Sequence, residues 1–426
     1  MQLHVLPSKL NGVIDIPGSK SHTIRAIAIA TLARGASVIE APLISEDTLS
    51  CLNAAAALGA WVKRGDDTAW KICGNAGNIL TPAGTLDMGN SGTGLRLFSA
   101  IAALGDSPIS FDGDDSLRTR HMAPLLDALR SLGIKAASTN GKCPLTVHGP
   151  VIGGEAFVDG TTSQYLSALL LVAPLAKINT LLLVKDLNEI PYVNMTLDWL
   201  KREDVAVTHD ARYMHFAIKG NQSYKPFTVR IPGDFSTACF PLVAAAICGG
   251  KVEIRGLDFS DPQGDKEVFL YLKKMGASIS ITKEKVVVKG GNLKAVDLDL
   301  NATPDALPVM AVAAACASGR SVFRNIPQAR IKETDRIACM TTELRKMGVK
   351  VEEFEDGMAV TGGALHASRE LNSYKDHRIA MALAIAAMAA KKANDVSVIR
   401  DADAASVTYP GFFDDFSALG ANFVQA

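Results

Sequence analysis

The sequence predicts an α/β protein of two similar domains, each built from three repeats around buried helices. Three observations carry this. Six segments share one pattern at a spacing of about 71 residues. The first helix of each is apolar on nearly every face. Two near-identical Ile-Pro-Gly turns stand at 16–18 and 231–233. The length of 426 residues suits about two or three domains, and a single domain is the competing arrangement.

Each repeat runs from a polar loop through an Ala/Leu/Ile-rich helix and a Gly or small polar break to a β-branched strand. The repeats begin at Ser21, Gly92, Ser163, Ser236, Asp305 and Asp376, in steps of 71, 71, 73, 69 and 71 residues. A helix apolar all round has to be enclosed. The second helix of a unit, as in MAPLLDALRSLG or EVFLYLKKMG, carries charge on one side and should face solvent. A Gly follows each such helix, as expected of a C′ residue. Hairpins come next in ASISITKEKVVVKG and VKVEEFEDGMAVTG, the latter with Asp-Gly as its turn. The copies IDIPGS (14–19) and VRIPGD (229–234) bracket the first three repeats. They predict one domain of residues 18–231 and another of 1–17 plus 232–426, the first strand being given to the far domain.

Lys and Arg number 44 and so do Asp and Glu, which removes the overall basic excess of a nucleic-acid binder. With 48% apolar and 21% charged residues the composition is that of a folded chain. The longest apolar stretch, 165–176, contains Ser167 and Pro174 and is too short to span a bilayer. The first residues lack the continuous apolar run of a signal peptide. Seven scattered cysteines without a C-x-x-C spacing fit a reduced cytoplasmic protein with neither disulfides nor zinc.

The functional signal lies where the buried helices begin. Lys20, Ser21 and Arg25 open the first; Asn90, Gly92, Thr93 and Arg96 the second; Thr162, Ser163 and Gln164 the third; Asp305 the fifth; Asp376, His377 and Arg378 the sixth. Helix N-termini hold anions, because their amides are unpaired and the macrodipole is positive there. Cations at such ends oppose the dipole, so Lys20, Arg25, Arg96 and Arg378 point to a multiply anionic ligand. N-capping is the ordinary use of Ser21, Thr93, Ser163, Asp305 and Asp376 taken singly. It gives no account of an Arg four residues into an apolar helix, as at Arg25 and Arg96. Two further charged segments, 115–121 with Arg120 and 330–336 with Lys332, Glu333 and Arg336, precede amphipathic helices, and a solvated helix start is the plain alternative for each. Gly18-Ser-Lys20-Ser21 lacks the Gly-Lys-Ser/Thr order of a P-loop. The glycines at 89, 92 and 94 do not follow the dinucleotide order, and neither H-E-x-x-H nor G-x-S-x-G occurs.

With these residues in place, the chain resembles the enolpyruvyl transferases, and among them the EPSP synthases, over essentially its whole length. The resemblance rests on PGSKSHTIRA, GNSGTGLR, the segment around Arg120, TSQYLSALLLVAPLA, PDA at 304–306, IKETDRI and YKDHRIAMA. It implies two inside-out α/β domains, each of three repeats around buried parallel helices, with the active site in the cleft between them. It also implies attack of the 5-hydroxyl of shikimate 3-phosphate on C2 of phosphoenolpyruvate, followed by loss of phosphate from a tetrahedral intermediate. By the same resemblance Lys20 contacts both substrates, and Ser21 and Arg25 hold the shikimate carboxylate. Thr162, Ser163 and Gln164 hold the 3-phosphate, with Tyr192 on the ring and Gln328 nearby. Gly92, Gln164, Arg120, Arg336 and Arg378 bind phosphoenolpyruvate, and His377 lies by the departing phosphate. Asp305 takes the hydroxyl proton, while Glu333 and Lys332 move protons at the methylene carbon and leaving group. Asn90, Thr93 and Arg96 support the site.

Glu189 and Val407 depart from the family pattern, standing where many members have a Ser and a Lys; Gln328 replaces a common Asn. Gly92 in place of Ala implies a site open to glyphosate-like anions. No cofactor or metal is expected, nor a nucleic-acid or membrane partner, and a cytoplasmic monomer is the expected form. The competing functions are enolpyruvyl transfer to another acceptor and a non-catalytic anion-binding paralogue. Transfer to a UDP-sugar would call for a Cys near Arg120, and residues 114–124 contain none.

Overall fold

The computed structural model describes residues 1–65, 68–391 and 395–425. The break expected in the sixth repeat falls partly on 392–394, outside them. The chain divides into two compact units, Gly18–Pro232 and Met1–Pro17 with Gly233–Ala426.

Unit Gly18–Pro232 contains three four-stranded sheets of one design, a parallel pair followed by two antiparallel pairs. In one, Leu86–Asp87 runs parallel to Ile109–Asp112, which is followed by Lys142–His148 and Lys135–Thr139. In the next, Gly154–Asp159 is parallel to Thr180–Lys185, followed by His215–Ile218 and Val207–His209. A parallel pair needs a crossover, and helices Gly92–Ala102 and Ser163–Val172 supply it. The remaining sheet joins Ala36–Glu40, Ala69–Cys73 and Trp61–Arg64 to a parallel strand from the far end of the unit, Thr228–Arg230.

The other unit repeats the design. Its parallel pairs are Leu10–Asp15 with Gly250–Arg255, Asp297–Asp299 with Arg320–Arg324, and Leu371–Asn372 with Ser397–Arg400. Each strand that runs into an Ile-Pro-Gly turn therefore pairs in a sheet other than that of the helix it precedes. The last sheet is closed by Gln2–Leu6, which lies between Ser397–Arg400 and Asn422–Gln425.

The expected division between enclosed and half-exposed helices is present. Every residue of His377–Met388 and Leu307–Ala315 is buried, as is every residue from His22 to Leu32 in helix Lys20–Leu32. Helix Gly92–Ala102 packs on both Lys20–Leu32 and Ser163–Val172. Its Leu95, Leu97, Phe98 and Ile101 have no exposed surface, each contributing about 1.5–3 kcal/mol of transfer free energy. Outer helices such as Glu267–Lys274 bury only Val268, Phe269 and Leu272. Gly59, Gly133, Gly276 and Gly348 end outer helices with φ of 102°, 96°, 97° and 84°, where a side chain would be strained. Among the described residues no helix is long and apolar enough to cross a membrane.

Candidate active site

Capping falls on other residues than expected at four of the five positions. Ser19, rather than Ser21, is the N-cap of Lys20–Leu32. Ser91, rather than Thr93, accepts from the Gly94 amide at 3.2 Å. Thr162, rather than Ser163, accepts from the Gln164 amide at 3.4 Å. Asp305 lies inside the 3-10 turn Pro304–Ala306. Only Asp376 caps as expected, accepting from the amides of Arg378 and Ile379. Ser91 and Thr162, standing one or two residues upstream, reach the first orphan amides of their helices, whereas the Ser19 hydroxyl makes no capping bond; Ser163 meets Glu189 and Asp305 meets Arg336.

In unit Gly18–Pro232, Lys20 Nζ is 3.1 Å from Oδ2 of Asp47, a buried residue in the first turn of helix Glu46–Ala57. Arg25 is buried among neutral oxygens. It donates to Thr196 Oγ1 at 2.9 Å, the carbonyls of Ser21 and Tyr192 at 3.1 and 3.0 Å, and Ser167 Oγ at 3.4 Å. Burial lowers its pKa to about 10, so it remains charged at neutral pH. Arg96 donates to Gln164 Oε1 at 2.5 Å and stacks over Tyr165, with its guanidinium carbon 5.4 Å from the ring centroid. Its pKa is lowered by burial and by the neighbouring Arg120. Neither Arg25 nor Arg96 forms a salt bridge among the described residues; the charge of Glu189 acts on both from further off.

Arg120 donates to Asn90 Oδ1 at 2.6 Å, and Asn90 in turn donates to Asp114. A Cβ on Gly92 would press on the Arg120 guanidinium and lie 3.1 Å from Nη1 of Arg96. The glycine lets both guanidiniums close on this helix start. Thr93 and Tyr192 are half-buried at their helix starts. Thr162 and Ser163 are engaged by Glu189. One carboxylate oxygen, Oε2, accepts from Thr162 Oγ1 at 3.2 Å, the Ser163 amide at 3.1 Å and Ser163 Oγ at 2.7 Å.

In the second unit Arg336, 1% exposed, is the hub. Its Nη1 donates to Asp305 Oδ1 at 2.8 Å and Nη2 to Glu333 Oε2 at 2.5 Å. Its Nε donates to Asp376 Oδ2 at 2.8 Å. Arg378 Nη2 reaches the other Asp305 oxygen at 2.9 Å, and Lys332 Nζ lies 4.0 Å from Oδ1. Burial alone would raise the Asp305 pKa. The charges of Arg378, Lys332 and Arg336 outweigh it and hold the carboxyl well below the usual range. His377 is buried beside Arg378 at the start of its helix. Gln328 is fully buried, and its amide donates to the Asn301 carbonyl at 3.0 Å. Its 3-10 helix, Pro327–Ile331, packs on the turn that carries Asp305. Val407 ends a 3-10 helix, Ala402–Val407.

Three carboxylates in these clusters escape sequence reasoning: Asp47, the partner of Lys20; Asp376 as a ligand of Arg336; and Asp265. Asp265 is buried, accepts a short hydrogen bond from Ser236 and has its pKa raised to about 6, by burial first and then by the charge of Asp305. Its signal was a Gln-Gly-Asp beside a helix start, too common to single out.

Guanidinium, ammonium and helix-terminal donors arranged around buried carboxylates can neutralise anionic substrates and move a proton. The architecture is that of the enolpyruvyl transferases. This chain superposes over the full length of both chains on an EPSP synthase from Acinetobacter baumannii, with TM-score 0.82 and 26% identity. The enolpyruvyl transferase NikO from Streptomyces tendae shares the fold, with TM-score 0.80 and 17% identity over all of this chain and 98% of that one. The family model for EPSP synthase (3-phosphoshikimate 1-carboxyvinyltransferase) matches residues 6–416, and the chain belongs to that family. Relatives bearing the name 3-phosphoshikimate 1-carboxyvinyltransferase include those of Acetivibrio thermocellus, 46% identical over 99% of both chains, and Methanocella arvoryzae, 41% identical over 99% of both. The expected α/β fold and family membership are thereby borne out.

Proposed function

We propose that this chain transfers the enolpyruvyl group of phosphoenolpyruvate to the 5-hydroxyl of shikimate 3-phosphate, releasing phosphate, as a cytoplasmic monomer without a cofactor. Seven free cysteines suit a reducing compartment. The observation that carries the chemistry is the Asp305 carboxylate held between Arg336 and Arg378 in a chain of this family.

Arg120, Arg336 and Arg378 take the carboxylate and phosphate of phosphoenolpyruvate, and Gly92 and Gln164 line its approach. Arg25 and Ser21 take the shikimate carboxylate, Thr162, Ser163 and Gln164 the 3-phosphate, and Tyr192 and Gln328 the ring. Lys20 serves both substrates. Asn90, Thr93, Arg96 and His377 position these groups. The 5-hydroxyl oxygen adds to C2 as its proton passes to Asp305, and the methylene carbon C3 gains a proton from Glu333 or Lys332. Loss of a C3 proton then expels phosphate and leaves the enol ether. Before substrate arrives, Asp305 is a weak base because two arginines hold it. An anion drawn to those arginines shares their charge and makes the carboxylate more basic.

The test is phosphate release on mixing the enzyme with phosphoenolpyruvate and a panel of phosphorylated acceptors. Release with shikimate 3-phosphate is expected. Its absence from the folded chain would defeat the reading, and release with a different acceptor would reassign the substrate.

A further inference from the structure

The N-terminus of helix Ser163–Val172 already holds an anion supplied by the chain. Oε2 of Glu189 receives the Thr162 hydroxyl, the Ser163 amide and the Ser163 hydroxyl, and the residue is 1% exposed. Its charge is felt by both Arg25 and Arg96. These donors suit any oxyanion, and the helix macrodipole favours whichever one sits there.

We propose that Glu189 is a specificity-determining residue that competes from within for the acceptor's phosphate: its carboxylate occupies the Thr162 and Ser163 donors until the phosphate displaces it. This rests on assigning those two residues to the 3-phosphate. Two anions cannot both use the same three donors. A carboxylate left beside a dianionic phosphate would also repel it. Displacement requires the carboxylate to turn off the donors about its three side-chain torsions while the helix that presents them stays in place. Its backbone stands at φ 59°, in the left-handed region, at a local conformational cost. The consequence is a binding penalty confined to ligands that carry the phosphate. An unphosphorylated acceptor leaves the Glu189 contacts intact and does not meet it.

Isothermal titration calorimetry with shikimate 3-phosphate and with shikimate tests this in wild type, Glu189→Gln and Ser163→Ala. Glu189→Gln removes the charge while keeping an acceptor oxygen. It should tighten shikimate 3-phosphate by roughly tenfold or more, given the size of like-charge penalties, and leave shikimate within about threefold. Unchanged or weaker binding of shikimate 3-phosphate by Glu189→Gln overturns the proposal, as does equal tightening of both ligands. Glu189→Ser gives the same comparison if the glutamine variant does not fold. Ser163→Ala separates the two levels of the argument. Loss of shikimate 3-phosphate affinity in that variant upholds the phosphate assignment whatever Glu189→Gln does, and no loss removes the assignment and the proposal together.

Discussion

Arg336 donates Nη1 to Oδ1 of Asp305 at 2.8 Å, so the group proposed as base is bound to a group proposed as substrate clamp before any substrate arrives. Arg378 holds the other oxygen. Binding and proton transfer are thereby coupled through one carboxylate.

Replacing Asp305 by Ala should separate the two. Arg336 and Arg378 lose a competing counter-ion, so phosphoenolpyruvate affinity should hold or improve. Turnover should fall by about 10² to 10⁴ with loss of the base. Steady-state phosphate release measures both, and equal losses in kcat and affinity would mark Asp305 as structural.

Arg336→Met strips the buried Asp376 and the half-buried Asp305 and Glu333 of their shared cation. Removing one member of a buried ion cluster typically costs about 3–5 kcal/mol. Urea unfolding should show a loss of that order, and a variant as stable as wild type would contradict the hub geometry.

Asp265 gives a pH signature. Its folded-state pKa of about 6 lies above the ordinary aspartate value of 3.8. The folded state keeps its proton through that window while the unfolded state loses it. Its contribution to stability is therefore full below about pH 4 and falls as pH rises towards 6, by on the order of 3 kcal/mol in all. Asp265→Asn cannot titrate. Thermal unfolding from pH 4 to 8 should show a flatter profile for the variant, which becomes the more stable of the two at pH 8.

Gly92→Ala places a Cβ against the Arg120 guanidinium. The arginine has to shift, so the KM for phosphoenolpyruvate should rise several-fold while that for shikimate 3-phosphate changes little. Glyphosate should inhibit the wild-type enzyme at concentrations near the phosphoenolpyruvate KM and inhibit the variant less. A wild-type enzyme indifferent to glyphosate would count against an open site at Gly92.

The sequence made the repeats, the enclosed helices and the cations at their starts legible because each is local. Periodicity and helix-terminal chemistry are written within a dozen residues. What pairs with those cations is not local: Lys20 meets Asp47 of the next helix, and Arg336 meets Asp376 forty positions on. The cations at the helix starts pointed to a basic site for a multiply anionic ligand. In the second unit that picture changes, because Lys332, Arg336 and Arg378 stand among Asp305, Glu333 and Asp376 before Asp265 is counted. Among the described residues Arg25 and Arg96 stand outside any salt bridge, with Glu189 acting on both. Cap positions were legible only to within a residue or two: Ser91 rather than Thr93 takes the Gly94 amide, and Ser19 precedes its helix without a side-chain cap bond.

The closing of one sheet by the chain's first strand has a consequence for biosynthesis. Gln2–Leu6 is synthesised long before its partners Ser397–Arg400 and Asn422–Gln425. Leu10–Asp15 likewise waits for Gly250–Arg255. The segment Gly18–Pro232 can collapse on its own schedule, while Gln2–Leu6 remains an unpaired β-forming arm until those partners are made. Such an arm is open to chaperones and to neighbouring chains, so deletions or bulky tags at the first strand should impair yield from cells more than equal changes in an outer helix.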